Sequence, residues 1–201
     1  MSLFDRIKED KLAIASSVLL LGACLAKLLQ AIILHLMTDL YPFTSDNMIN
    51  TGIGLMPTIM LLVYIFMYYK TEKPQLLLCC TFVFQFAVTA LYAWEDYQIS
   101  GEILTGGWVF SNLIWLVYYA FLICVTYKGF ENIVLIRVFM GIMIAYSVVS
   151  SLVTLFVVIG FFSEETVILT SQAIAVVGNI CYYLATFLIV PKVAEEMIGS
   201  K

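Results

Sequence analysis

Six long apolar stretches constrain this chain more than any other feature of its sequence. They run over residues 12–37, 49–69, 75–94, 103–127, 133–162 and 167–190, and about 20 apolar residues in a helix cross a hydrocarbon core of about 30 Å. Because 63% of the residues are apolar and only 12% are charged, a water-facing surface cannot be covered. This excludes a soluble globular protein, a disordered protein and a nucleic-acid binder. The sequence predicts an all-α integral membrane protein, a single polytopic domain over residues 1–201 with six transmembrane helices.

The charged residues between the stretches predict the orientation. Nine of the ten basic residues fall on one side: Arg6, Lys8, Lys11, Lys70, Lys73, Lys128, Arg137, Lys192 and Lys201. The connections on the other side contain no Lys or Arg. Their charged residues are Asp39, Asp46, Glu95, Asp96, Glu102, Glu164 and Glu165. Since Lys and Arg accumulate in cytoplasmic segments, we expect both termini in the cytoplasm of a bacterial cell, with the bundle in its plasma membrane. Pro74 is expected at the start of the third helix and Pro191 at the end of the last.

Lys27 is the basic residue that does not fit this distribution. It lies within the first stretch, just beyond the bilayer midplane at about 1.5 Å rise per residue. A lysine at that depth costs at least about 2.5–3.5 kcal/mol, and no stretch offers an acid to pair with it. Three arrangements remain open: a neutral amine, a route to water through an outer vestibule, or an anionic group supplied by a ligand or partner.

The neighbours of Lys27 on the same helix give it a polar face. Ser16, Ala23 and Gln30 share its side of the helix, because residues three, four and seven apart lie close together. His35 lies about 80° around the helix and about 12 Å nearer the outside. It is expected either at the rim of the same cavity or, the interpretation we favour, as an interface histidine bonded to a loop.

Other stretches carry polar and aromatic stripes of their own. Gln85, Asn112 and Asn179 must find partners inside the bundle, since an unpaired amide in hydrocarbon costs several kcal/mol. They either bond one another or line a site. Small hydroxyl residues of the fifth stretch, Ser147, Ser150, Ser151 and Thr154, are typical of close helix packing. The candidate ligand-binding residues are Lys27, Gln30, His35, Gln85, Trp108, Asn112, Trp115, Asn179 and Tyr182.

The second stretch opens with a run that favours a helix poorly. In Thr51-Gly52-Ile53-Gly54-Leu55-Met56-Pro57 the proline frees the carbonyl of Ile53, and two glycines loosen the preceding turn. Interrupted helices next to a charge at this depth occur at transporter binding sites, but simple proline kinks are also common in membrane helices. The sequence leaves both interpretations open.

Enzyme chemistry has little support in this sequence. There is a single histidine, and no stretch contains an Asp or Glu, so metal sites and clustered carboxylates are not expected. Five cysteines within the stretches are expected to pack as small apolar residues rather than form disulfides. We expect no cofactor and lean against an enzyme.

These observations predict a bundle that binds a small solute or lipid-like molecule in an outward-opening cavity around Lys27, as a transporter or a transporter component. Lys27 would be the electrostatic anchor, the amides would donate and accept hydrogen bonds, and Trp108, Trp115 and Tyr182 would form aromatic walls. The alternative is a sensor or accessory subunit acting through a membrane protein partner, and a small membrane enzyme is a third hypothesis. Membrane lipid surrounds the chain in each case, a homo-oligomer is left open, and nucleic acid is not an expected partner.

Overall fold

The computed structural model of the chain describes residues 10–37, 44–68, 75–100, 106–161 and 166–199. This described part contains six α-helices and no strand, which confirms the all-α fold class. The helices are α1 Lys11–Met37, α2 Ser45–Tyr68, α3 Gln75–Ser100, α4 Gly106–Lys128, α5 Ile133–Phe161 and α6 Thr166–Gly199. Several residues used to predict orientation or helix ends lie outside the described residues: Arg6, Lys8, Asp39, Lys70, Lys73, Pro74, Glu102, Glu164, Glu165 and Lys201.

Five of the helices are long and apolar enough to cross a membrane. The qualifying stretches are Lys11–His35, Met48–Tyr68, Gln75–Trp94, Ile133–Phe156 and Val167–Gly199. In α4 the described apolar stretch, Asn112–Lys128, is shorter. Helices of this length and hydropathy are those of an integral membrane protein.

Side chains and one glycine define where several helices begin and end. The Asp10 carboxylate accepts hydrogen bonds from the backbone N–H groups of Leu12 and Ala13 at 3.0 and 3.2 Å, and so caps α1. Asn132 caps α5 through the N–H of Leu135 at 3.0 Å. Helix α4 stops at Gly129, whose φ of 77° lies in the left-handed region that a side chain disfavours.

Helix α6 forms the centre of the bundle. It packs along α1, and it also contacts α5 and α4, while α2 packs between α1 and α3 and α3 packs on α4. Gly178 permits the closest approach of α6 to α1, since a Cβ at this position would lie 2.9 Å from the Cβ of Ala26 and 3.6 Å from the carbonyl oxygen of Ala23. Small residues of this kind let membrane helices pack with their backbones near each other.

The prediction that the last helix stops at Pro191 was wrong. Helix α6 continues through Pro191 to Gly199. A proline inside a helix costs about 3 kcal/mol through its missing N–H and its clash with the preceding turn. The residues that follow it offset this cost by tertiary packing, because Val193 is 5% exposed and Ala194 is fully buried. Local sequence signals cannot register that contribution.

The last turns of α6 join the starts of α1 and α5 and the end of α2 at one end of the bundle. Lys192 pairs with Asp10, and the hydroxyl of Tyr68 donates to Glu196. Arg137 of α5 pairs with Glu195 at 2.8 Å. We call this cluster the paired end: Asp10, Tyr68, Arg137, Lys192, Glu195 and Glu196.

Candidate ligand-binding groove

Lys27 lies in the half of α1 that is remote from the paired end. It stands ten residues before the last residue of α1, Met37, which is about 15 Å along the helix axis. Its ammonium nitrogen donates a hydrogen bond to the carbonyl oxygen of Gly54 at 2.8 Å. The same nitrogen lies 5.5 Å from the centroid of the Tyr182 ring. A backbone carbonyl and a ring face thus take the place of the missing acid, an arrangement that the three sequence-based alternatives did not include.

The carbonyl that meets Lys27 belongs to the run that favours a helix poorly. Helix α2 is continuous through Pro57. The sequence predicted that the proline would free the carbonyl of Ile53, whereas Lys27 bonds to the carbonyl of the next residue, Gly54. A Cβ added at Gly54 would meet nothing within 4 Å, so there is open space beside this residue. Because a carbonyl oxygen has two lone pairs, it can accept from Lys27 and remain part of the helix.

A polar groove between α1 and α2 surrounds the Lys27 ammonium group. Its volume is about 320 Å³, and its lining residues are Lys27, Gln30, Ala31, Leu34 and His35 of α1 with Asn50, Thr51 and Gly54 of α2. We call this cavity the Lys27 groove. It brings together three of the predicted site residues, Lys27, Gln30 and His35.

His35 lies at the rim of this groove, where its ring nitrogen Nε2 is 3.3 Å from the hydroxyl oxygen of Thr51. His35 thus contacts helix α2 and is one of the residues that line the groove. Asn50, Thr51 and Gly54 were not among the predicted site residues. The glycine-rich run that contains them was the signal that could have found them.

Tyr182 and Gln85 stand behind Lys27 rather than in the groove. Tyr182 is 4% exposed, and its hydroxyl accepts a hydrogen bond from the Nε2 atom of Gln85 at 3.3 Å. A line of contacts therefore joins Lys27 on α1 to Tyr182 on α6 and to Gln85 on α3. These two predicted residues position the wall that the ammonium group faces.

Trp115 belongs to an aromatic cluster and does not line the Lys27 groove. Its ring stacks on that of Tyr183 with centroids 5.1 Å apart and planes at 18°. It also lies 5.7 Å from the ring of Tyr118 and 6.0 Å from that of Tyr146. Trp115 packs α4 against α5 and α6, so the structure gives it a packing role in place of the expected aromatic wall.

Asn179 faces a second groove, which lies between α5 and α6. Gly178 packs against α1, and the next residue points about 100° around the helix. The second groove has a volume of about 180 Å³ and is lined by Ser150, Ser151, Thr154 and Leu155 of α5 with Gln172, Ala175, Val176 and Asn179 of α6. Asn179 is therefore separate from Lys27.

The two remaining predicted residues are in α4. Asn112 is half-buried and is not among the residues that line the Lys27 groove. Trp108 lies in the first turn of the same helix, and its side chain lies outside what the structure describes. Ser16, predicted on the same face as Lys27, is buried and lines a small cavity near the paired end with Tyr64 and Tyr68.

The charges of the two ends differ. The lining of the Lys27 groove contains no carboxylate in the part of the chain that the structure describes. Within the described ranges, both ion pairs belong to the paired end. All the residues that the structure describes together contain no cluster of three or more His, Cys, Asp or Glu side chains that could hold a metal ion. The described lining of the groove offers hydrogen-bonding groups and one basic side chain, that of Lys27.

Searches of protein-family models, curated proteins and solved structures found no match to this chain. The class that the fold defines is an all-helical integral membrane protein with a polar groove around a lysine at membrane depth.

Proposed function

We propose that this chain binds a small solute or lipid-like ligand in the Lys27 groove and acts as a transporter or as the binding component of one. The observation that carries the proposal is the set of contacts that surrounds the Lys27 side chain. Its described contacts are one carbonyl and one ring face, and neither neutralises an ammonium ion. Charged residues at this depth mark substrate or ion pathways, because their cost would otherwise remove them.

The topology that goes with this function has six spans and both termini in the cytoplasm of a bacterial plasma membrane. It is supported by the basic residues outside the spans and by the length of α4, which has 23 residues. In this orientation the paired end is cytoplasmic and the Lys27 groove opens in the outer half. Green fluorescent protein fused after the C-terminus is then expected to fluoresce, and alkaline phosphatase fused there to be inactive; the reverse pattern contradicts this topology.

The test of binding is mass spectrometry of small molecules released when the gently purified protein is denatured. We expect a compound that wild type carries and Lys27→Met lacks. Lys128→Met is the matched control, since Lys128 is an exposed lysine at the end of α4 and does not line the groove. The proposal fails if wild type and Lys27→Met, both folded, release the same molecules.

The second groove supports a different function, that of a subunit acting through a membrane protein partner. Ser150 and Thr154 are exposed on α5, and Gln172 and Asn179 line the same surface. Small hydroxyl residues and amides facing outward at membrane depth favour association with another helix. Co-purification of a defined partner that is lost in Asn179→Leu and retained in Lys27→Met supports this function over transport by the chain alone.

A further inference from the structure

Exposed apolar residues stand next in the chain to residues that line the Lys27 groove. Leu28 and Ile32 directly follow the lining residues Lys27 and Ala31 on α1, and they are 44% and 50% exposed. On α2, Ile49 directly precedes Asn50 and is 58% exposed. In a chain embedded in a bilayer, exposed apolar side chains of this kind face acyl chains. The groove therefore adjoins the lipid-facing surface, and a molecule dissolved in the bilayer can reach it sideways between α1 and α2.

The floor of the groove is built to receive an anion. An ammonium group has three N–H donors, and in the described structure Lys27 uses one of them on Gly54. Two donors remain for a ligand. Gln30 and Asn50 add amide groups beside it, and none of the lining residues that the structure describes is a carboxylate that would repel a negative charge.

The size and depth of the groove restrict the anion further. Its volume of about 320 Å³ lies at the lower end of ligand pockets, which are about 300–1,000 Å³. Lys27 lies about 15 Å inside the end of α1, well below the level of phospholipid headgroups. A phosphate monoester carries about −1.5 to −2 charge at neutral pH, which exceeds the single charge of Lys27. A carboxylate is small and matches that charge.

We propose that the ligand of the Lys27 groove is a single-chain carboxylic acid that reaches it from the bilayer, with its carboxylate on Lys27 and its chain leaving past Leu28 and Ile32. This inference rests on the proposed function and names the ligand class for that site. It also replaces an outer vestibule with lateral access between two helices.

The experiment measures binding of a dansyl-labelled undecanoic acid to the full chain in nanodiscs of zwitterionic lipid, by energy transfer from tryptophan. The methyl ester of the same probe is the neutral control. Wild type, Lys27→Met, Lys27→Arg and Lys128→Met are compared at one lipid-to-protein ratio, so that partitioning into the bilayer is common to all. We expect Lys27→Met to weaken binding of the acid at least tenfold, Lys27→Arg to retain most of it, and Lys128→Met to change nothing. The ester is expected to bind no better to wild type than to Lys27→Met.

Competition by unlabelled acids separates the ligand class from the proposed function. Hexadecanoate is expected to displace the probe, and acetate to fail even in large excess. If acetate competes as well as hexadecanoate and both depend on Lys27, the groove binds a soluble anion; the inference about the chain is then overturned and the proposed function stands. If the acid and the ester bind equally to wild type and Lys27→Met, the carboxylate inference is overturned, and the released-molecule experiment alone decides whether the groove binds anything else.

Discussion

Two lysines of this protein lie over tyrosine rings, one at the paired end and one in the opposite half of the bundle. Lys192 lies 5.2 Å from the ring centroid of Tyr68, and Lys27 lies 5.5 Å from that of Tyr182. Lys192 also has a carboxylate partner, Asp10, and the two side chains are 30% and 23% exposed. Lys27 has the carbonyl of Gly54 instead. The aromatic contact is shared, so the counter-charge is what distinguishes the two sites.

The difference separates a structural pair from the group that we propose binds a ligand. At the paired end, Lys192 and Asp10 join the last helix to the first, and a partly exposed pair of this kind contributes about 1 kcal/mol or less. At Lys27 the positive charge lies at membrane depth with no acid among its described contacts, and there it is expected to cost the fold free energy. A group that destabilises the empty protein and faces a groove is more readily explained by a ligand than by packing.

The largest effect is expected from placing a carboxylate in the Lys27 groove. Gln30 lies one turn from Lys27 and lines the same groove, so Gln30→Glu gives Lys27 the acid that Lys192 already has. We expect this substitution to leave the free energy of unfolding unchanged or raised when Lys27 is present. In a protein that also carries Lys27→Met, Gln30→Glu is expected to lower the free energy of unfolding by about 3 kcal/mol, because an unpaired charge is left in a partly buried site.

Reversible unfolding in mixed micelles measures this coupling. The four proteins compared are wild type, Gln30→Glu, Lys27→Met and the double variant, and Gln30→Met is the uncharged control. Gln30→Glu is also expected to abolish binding of an anionic ligand by occupying its place. Equal effects of Gln30→Glu with and without Lys27 contradict the account, since they show that the two positions do not interact.

The next largest effect is expected at the contact of α1 with α6. In Gly178→Ala the new methyl carbon meets the Cβ of Ala26 at 2.9 Å and lies 3.8 Å from the backbone nitrogen of Lys27. The helices must separate, which costs about 1–3 kcal/mol and displaces Lys27 while leaving the paired end intact. Gly141→Ala in α5 is the control, because its Cβ meets nothing within 4 Å; thermal unfolding is expected to show a loss only for Gly178→Ala.

Removing the carboxylate of Asp10 from the paired end is expected to have a smaller effect. Asp10→Ala loses both the pair with Lys192 and the cap of α1, and we expect a loss of about 1–2 kcal/mol in unfolding free energy. Asp10→Ser keeps a capping oxygen and loses only the charge, so it is expected to cost less than Asp10→Ala. Equal losses would mean that the ion pair dominates and that the cap contributes nothing. Neither variant is expected to change ligand binding.

The smallest effects are expected when the tyrosines lose their hydroxyl groups and keep their rings. Tyr182→Phe leaves the Gln85 amide without its partner in the described structure and is expected to cost about 1 kcal/mol or slightly more. Tyr68→Phe loses an exposed bond to Glu196 and is expected to cost less. Both variants keep the ring that faces the lysine, so binding at Lys27 is expected to persist; its loss in Tyr182→Phe would assign the hydroxyl a direct role.

The sequence predicted the helices well because the apolar composition of a stretch is enough to determine that it is helical. The apolar stretches became helices because their residues have no alternative in hydrocarbon, and only tertiary contacts shifted their ends. Helix α6 passes Pro191 because Val193 and Ala194 are buried against neighbouring helices. Packing of that kind depends on residues far away in the chain.

The site was predictable within one helix and not between helices. Lys27, Gln30 and His35 follow the 3.6-residue period of α1, so their common face could be read from spacing. Which helix would meet that face could not, because a stripe does not give the rotation of its helix relative to the others. Asn179, from the polar stripe of α6, faces α5. Trp115, from the stripe of α4, packs in the aromatic cluster.

The central claim is that the charge of Lys27 has no counter-ion among the described residues and is kept for a ligand. The most direct test compares the free energies of unfolding of ligand-stripped wild type, Lys27→Met and Lys192→Met in the same micelles. We predict that Lys27→Met is more stable than wild type by up to about 3 kcal/mol, and that Lys192→Met is less stable by about 1 kcal/mol. If Lys27→Met is destabilised to the same extent as Lys192→Met, Lys27 is a structural residue and the account is contradicted.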